Sequence, residues 1–141
     1  MKSSRFAVAA HILVSIEYRA RRRGDEFVSS ATIATSINTN PVFVRELLRK
    51  LCKAGLVITK EGSGGGVQLA RPASEIDLGE VYRAVEEHPL LKQNCRPAHE
   101  PCPVSCGMNA VLEPVVDEVE KAMFDVLVQK KLSDLVSKID K

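Results

Sequence analysis

Apolar residues recur along this chain in two rhythms, and the switches between them divide it into elements. Phe6, Ala9, Leu13, Ile16 and Ala20 fall three or four residues apart, the period of one helix face. Gly24-Asp25 breaks that run. Ser29 then stands where a hydroxyl can cap a short helix over 30–36. Asn40-Pro41 opens the next helix: the asparagine oxygen caps free amides, and proline suits the first turn, where its missing N–H is not needed. That helix is expected to run to Ala54 and stop at Gly55. Residues 56–60 and 67–71 read as two strands joined through Glu61-Gly62-Ser63-Gly64-Gly65-Gly66, a hairpin. Asp77 and Glu80 have capping-box spacing and predict a helix through Glu87.

Residues 88–107 fit neither rhythm. Pro89, Pro97, Pro101, Pro103 and Gly107 predict irregular backbone over most of this stretch, which also holds three of the four cysteines. Beyond it, Leu112, Val115, Val119, Met123 and Val126 mark one face of a long helix, whose clean start Pro114 restricts. Ser133 is placed to cap a last short helix to about Ile139. The fold class that results is mainly α with a small β-hairpin: a winged helix-turn-helix followed by a long dimerisation helix. The expected units are 1–87 for the winged domain, 88–107 for a cysteine-bearing, sensor-like loop, and 108–141 for the pairing and C-terminal helices.

The helix-turn-helix rests on Ile33-Ala34, Ile37-Asn38, Val44, Leu47 and Leu51. Two crossing helices need a small residue at their contact, and Ala34 supplies it. Four residues on, the turn needs positive φ, for which asparagine is the best substitute for glycine. The outward face of the second helix carries Val42, Arg45, Glu46, Arg49, Lys50 and Lys53. An α-helix fits the major groove of B-DNA; its early residues meet base edges and its cations meet phosphates. Candidate contacts are therefore Val42, Phe43, Arg45, Glu46, Arg49 and Lys50, with Ser29, Ser30, Thr39 and Asn40 at the helix starts and Arg5 from the first helix. Lys60 and Arg71 flank the hairpin, read as a wing. Its Ser63, Gly64, Gly65 and Gly66 form a flexible tip whose backbone approaches phosphate or the minor groove closely. A nucleotide-binding loop fails here, because Val67 stands where the third glycine of G-x-G-x-x-G belongs and no Gly-Lys-Ser/Thr follows. The plainer alternative is an amphipathic helical hairpin with a solvated basic face.

Composition sharpens this. With 141 residues, 45% hydrophobic, the chain makes one domain with a substantial core, and no apolar run is long enough to span a bilayer. A net charge of +2 conceals a division: residues 1–72 carry 12 Lys+Arg against 5 Asp+Glu, and residues 73–141 carry 8 against 13. The basic part coincides with the helix-turn-helix and wing. The acidic face Glu113, Asp117, Glu118, Glu120 and Asp125 keeps the other part off DNA, and charge runs of this kind are usually just solvated. Lys2 and Arg5 before Phe6–Ile16 have the outline of a secretion leader, but His11 interrupts it and no small-residue cleavage pattern precedes Arg21-Arg22-Arg23. The cytoplasm is expected, where four cysteines point to metal, redox or inert thiols rather than disulfides.

As a set, several motifs are characteristic: Arg5-Phe6-Ala7, Asn40-Pro41-Val42 through Leu51, Ala54-Gly55-Leu56-Val57, Gly64-Gly65-Gly66, and Asp77 through Glu86 with a cysteine loop and long helix after it. Together they resemble the Rrf-two family of bacterial winged-helix transcription regulators, over nearly the whole chain. That family includes an iron–sulfur-assembly regulator, a nitric-oxide-sensitive repressor and a cysteine-metabolism repressor. The resemblance implies a homodimer whose long helices cross and whose recognition helices dock on a dyad-symmetric operator in double-stranded DNA, as a repressor. The physical counterpart is the apolar face at Leu112, Val115, Val119, Met123 and Val126, which a second copy would cover; packing on its own domain is the alternative.

Cys95, Cys102 and Cys106 are separated by six and three residues, with His99 between the first two. Cluster-binding relatives carry three loop cysteines, but the second interval here is shorter than theirs, so iron–sulfur ligation does not transfer directly. Three thiolates with His99 match the donor types of a tetrahedral zinc site. Reversible thiol oxidation, with Lys92 and Arg96 lowering a thiol pKa, is a second route, and inert thiols a third. Cys52 is expected to pack against the core. His11 reads as a surface or packed histidine rather than a ligand, and His88 as part of a helix exit. No catalytic residue is expected: a thiol oxidoreductase would want Cys-x-x-Cys in a βαβ setting, whereas three residues part Cys102 from Cys106. A winged-helix adaptor that contacts only protein is the remaining alternative.

Overall fold

The computed structural model describes residues 4–139; Lys2 of the leader-like start lies outside them. Helix α1 (Arg5–Arg23) stops at Gly24 and buries Ala9, Ile12, Leu13 and Ile16. Helix α2 (Ser30–Ile37) begins at Ser29, whose Oγ accepts from the Thr32 amide at 3.1 Å. It ends at Asn38, with φ 60°, the one non-glycine residue at positive φ among those described. Helix α3 (Pro41–Lys53) starts on Asn40, whose Oδ1 accepts from the Val42 amide at 2.8 Å. Both caps satisfy donors that a helix start leaves free.

These three helices close around Ile33, Ala34, Val44, Leu47, Leu48 and Leu51, all buried. Completely burying each of the larger side chains contributes about 1.5–3 kcal/mol. Strands β1 (Val57–Lys60) and β2 (Gly66–Leu69) pair antiparallel, Val57 opposite Leu69 and Lys60 opposite Gly66. Val28 and Val67 exchange backbone hydrogen bonds at 2.9 and 2.8 Å, so the lead-in to α2 forms a third edge on the hairpin. The wing is thus anchored directly to the helix-turn-helix.

Asp77 and Glu80 form the full capping box of α4 (Leu78–Val85), which ends two residues before the expected Glu87. Helix α5 spans Pro103–Val128 and touches the rest of the fold chiefly through α4. It starts inside the stretch expected to be irregular up to residue 107. Cys102 is its N-cap, accepting from the Ser105 amide, and Pro103 occupies the first turn, where proline costs no hydrogen bond. Pro114 is carried inside the helix without ending it. Helix α6 (Leu132–Ile139) begins a residue before Ser133, its start closed by the Lys131 amide donating to Asp134 Oδ2 at 3.1 Å. Leu132 and Val136 of α6 are buried, and the helix folds back onto α1.

Candidate nucleic-acid interface

The surface of α3 divides into two stripes. Leu47, Leu48 and Leu51 face inward, while Val42, Arg45, Arg49, Cys52 and Lys53 are exposed. Arg45 and Arg49 have no ion-pair partner among the described residues. Between this stripe and the hairpin lies an open groove of about 620 Å³, walled by Ser30, Arg45, Arg49, Lys53, Thr59 and Gly66. Leu48, Cys52 and Val67 form its apolar floor, and Glu61 is the one acidic residue among its lining, against the three cations Arg45, Arg49 and Lys53.

Two of the wing's glycines stand where the backbone is closely packed. Gly65 donates to the Gly62 carbonyl at 3.1 Å, and a Cβ at Gly65 would stand 2.1 Å from the Lys60 carbonyl oxygen. Gly66, at φ 146°, would place a Cβ 2.3 Å from the carbonyl of Val28. Those two glycines permit close backbone packing; Ser63 and Gly64 are what the tip exposes. Lys60 is exposed, its Nζ 5.5 Å from the centre of the Phe27 ring. Arg71 is not part of the wing: it binds Glu80 at 2.6 Å and the Glu75 carbonyl, bracing the α4 cap.

Several other candidates turn away from the groove. Arg5 donates to Glu46 at 2.6 Å and to the Val85 carbonyl at 3.0 Å, and lies 5.8 Å from the Phe43 ring centre. Phe43 is half-buried against the core rather than outward. Lys50 is bonded to Glu87. Arg5, Glu46, Lys50 and Glu87 thus form a charge-balanced cluster joining α1, α3 and the end of α4. Hydrogen bonding from Arg5 holds the Glu46 carboxyl below the ordinary carboxylate range, and hydrogen bonding from Lys50 does the same for Glu87. Both depressed carboxyls favour the folded state at neutral pH, a contribution lost as acidification protonates them. Ser29 and Asn40 spend their side-chain oxygens on caps, and Thr39 is half-buried outside the groove; Ser30, also half-buried, does line it.

The cysteine segment holds no assembled donor set. Cys95 Sγ lies 3.6 Å from the Gln93 carbonyl, Cys102 Sγ caps α5, and Cys106 Sγ lies 3.5 Å from the Glu100 carbonyl. His99 enters through its backbone, its amide donating to Ser105 Oγ at 2.8 Å. Among the described residues no three His, Cys, Asp or Glu side chains are grouped to hold a metal ion. Within one chain these residues do not fit a zinc or cluster site. Cys52 is exposed, not packed in the core, because it continues the stripe of Arg45 and Arg49. His11 is exposed, 3.1 Å from Ser36 Oγ. No described helix is long and apolar enough to cross a membrane.

A family model described as Rrf2, iron-dependent transcriptional regulator, matches residues 2–138. The chain belongs to the Rrf2 (Rrf-two) family of transcriptional regulators. YwnA of Bacillus subtilis is 36% identical over 97% of this chain and 98% of its own. The HTH-type transcriptional regulator NsrR of Oceanobacillus iheyensis is 32% identical, over 79% of this chain and 74% of its own. The solved structure of CymR, the global cysteine regulator of Bacillus subtilis, shares the fold: TM-score 0.70 at 22% identity, over 98% and 97% of the two chains. Membership in a family of regulators removes the thiol oxidoreductase reading. Winged helix-turn-helix and DNA binding are the family's frame for the groove described above.

Sequence reasoning missed Glu87 as a partner of α3 and Glu120 as a clamp: Glu120 accepts from the Leu90 amide and from Tyr82 Oη, the latter at 3.4 Å. Glu120 had read only as part of a solvated acidic face. No local pattern marks such pairs, which lie 30 or more residues apart. Exposure of Cys52 was legible, since 45, 49 and 52 share one helix face.

Proposed function

We propose that this Rrf2-family regulator binds a dyad-symmetric operator in double-stranded DNA as a homodimer, with one α3 per half-site in the major groove. The observation that carries the reading is the unpaired stripe of Arg45 and Arg49 facing a groove closed by the anchored wing. Arg45 lies one turn into α3, where a recognition helix reaches base edges; Arg49 and Lys53 follow toward the phosphates. Lys60 and the tip at Ser63 and Gly64 reach the flanking backbone, contacts that position without reading sequence.

The second copy is supported by α5. Its 26 residues, roughly 39 Å of helix, include none that is buried. Val104, Met108, Val111, Leu112, Val115, Val119 and Val126 are exposed at spacings of one to seven residues, mostly three or four, a continuous apolar stripe. A like helix from another subunit is the natural cover, and it supplies the two-fold axis that a symmetric operator mirrors. Met123 is half-buried beside Phe124 and extends the stripe toward α4.

A duplex enriched from a random pool by the wild-type protein tests the reading. Arg45→Ala should lose about 1–3 kcal/mol on that duplex and relax its preference at one position per half-site. Lys60→Ala should weaken binding to all duplexes alike and lower the salt slope by about one. Unchanged affinity in Arg45→Ala removes Arg45 from base reading.

A further inference from the structure

A cluster of four charged residues joins α3 to α1 and to the residue two beyond α4. Lys50 is on the same helix as Arg45 and Arg49, in its last turn, where a cation would meet a phosphate. Unlike those two it is engaged, its ammonium bonded to the Glu87 carboxylate. The same carboxylate oxygen lies 3.7 Å from Arg5, whose first partner is Glu46 of α3. Glu87 is half-exposed, so the pair is open to solvent and to an approaching polyanion.

We infer that Glu87 acts as an internal stand-in for a DNA phosphate, holding Lys50 out of the interface until the pair is broken. This rests on the reading of α3 as the DNA-facing helix. An exposed pair is weak, so a duplex phosphate can displace the carboxylate; the displacement nevertheless subtracts from affinity and from counterion release. Glu87 is therefore a positioning residue that sets how many cations the recognition helix offers.

Its location gives that setting a handle. Glu87 lies two residues beyond α4 and directly precedes the proline-bearing cysteine segment. Three residues on, the Leu90 amide is held by Glu120 of α5, and further along Asn109 of α5 donates to the Asn94 carbonyl at 3.0 Å. Glu87 is thus joined through a short stretch of chain to positions that α5 holds at Leu90 and Asn94.

The test uses the full chain and a fluorescein-labelled duplex of mixed sequence, with anisotropy followed across a salt series. Glu87→Gln keeps the side chain's size and removes its charge; it should bind roughly fivefold tighter at low salt, with a salt slope steeper by about one. Lys50→Gln should cancel the whole gain in the Glu87→Gln background, so that the double variant binds with the affinity and salt slope of Lys50→Gln alone. Glu113→Gln, an equal charge change on the exposed face of α5, should behave as wild type. Affinity and slope unchanged in Glu87→Gln, or a gain that survives Lys50→Gln or appears equally in Glu113→Gln, overturns the inference. Failure of the wild-type protein to bind the duplex at any salt overturns the DNA-binding reading itself, a result distinct from the others.

Discussion

Leu47→Ala should destabilise the protein by about 3–5 kcal/mol, one of the largest effects expected of any single substitution in this core. Leu47 is fully buried and sits on the inner stripe of α3, between the outward residues Arg45 and Arg49. It packs in one core with Ile12 and Leu13 of α1 and Ile33 of α2. Truncation removes its transfer free energy and leaves a cavity that two short helices and a hairpin cannot collapse to fill. Urea denaturation checks the value, and the thermal midpoint should fall by roughly 10 °C. DNA affinity should weaken as the fraction folded falls. A loss below about 1 kcal/mol would show that α3 is not closed over this core as described.

Val115→Asp combined with Val119→Asp should dissociate the proposed dimer, raising its dissociation constant by on the order of a hundredfold or more. Both residues are exposed in the single chain, at 52% and 37%, so the substitutions cost the monomer little. In an isologous interface every substitution appears twice, and four carboxylates would enter an apolar seam without partners. Sedimentation velocity separates the species, and circular dichroism should show the helical content retained. A wild-type protein that sediments as a monomer at every concentration, or a doubly substituted one that still pairs, contradicts the assignment of α5.

What could be read from the sequence was local. Asn40-Pro41, Asp77 with Glu80, and Ser29 each mark a helix start because the chemistry of capping is completed within three or four residues. Asn38 was legible for the same reason: a turn four residues past Ala34 needs positive φ, and the structure gives 60°. The start of α5 was not, since Pro101, Pro103 and Gly107 read as breakers; Pro103 instead supplies the first turn and Cys102 its cap. Within the candidate site, Arg45 and Arg49 followed from helical spacing. Lys50 carries the same charge on the same helix, yet it is paired with Glu87, more than 35 residues beyond it in the chain, and Glu46 is paired with Arg5 of α1. Such pairing is set by how α1, α3 and α4 meet, which no local rhythm encodes. The glycine run has a second role that its composition does not mark: Gly65 and Gly66 allow close packing against Lys60 and Val28.

The most direct measurement of the central claim, a symmetric pair of α3 helices reading DNA, is a hydroxyl-radical footprint on the duplex that the wild-type protein enriches from a random pool. The account predicts two protected stretches related by a dyad, their centres about one helical turn or a multiple of it apart, both lost when Arg45 and Arg49 are replaced by alanine. A single protected stretch without symmetry, or protection indifferent to those two arginines, would contradict it.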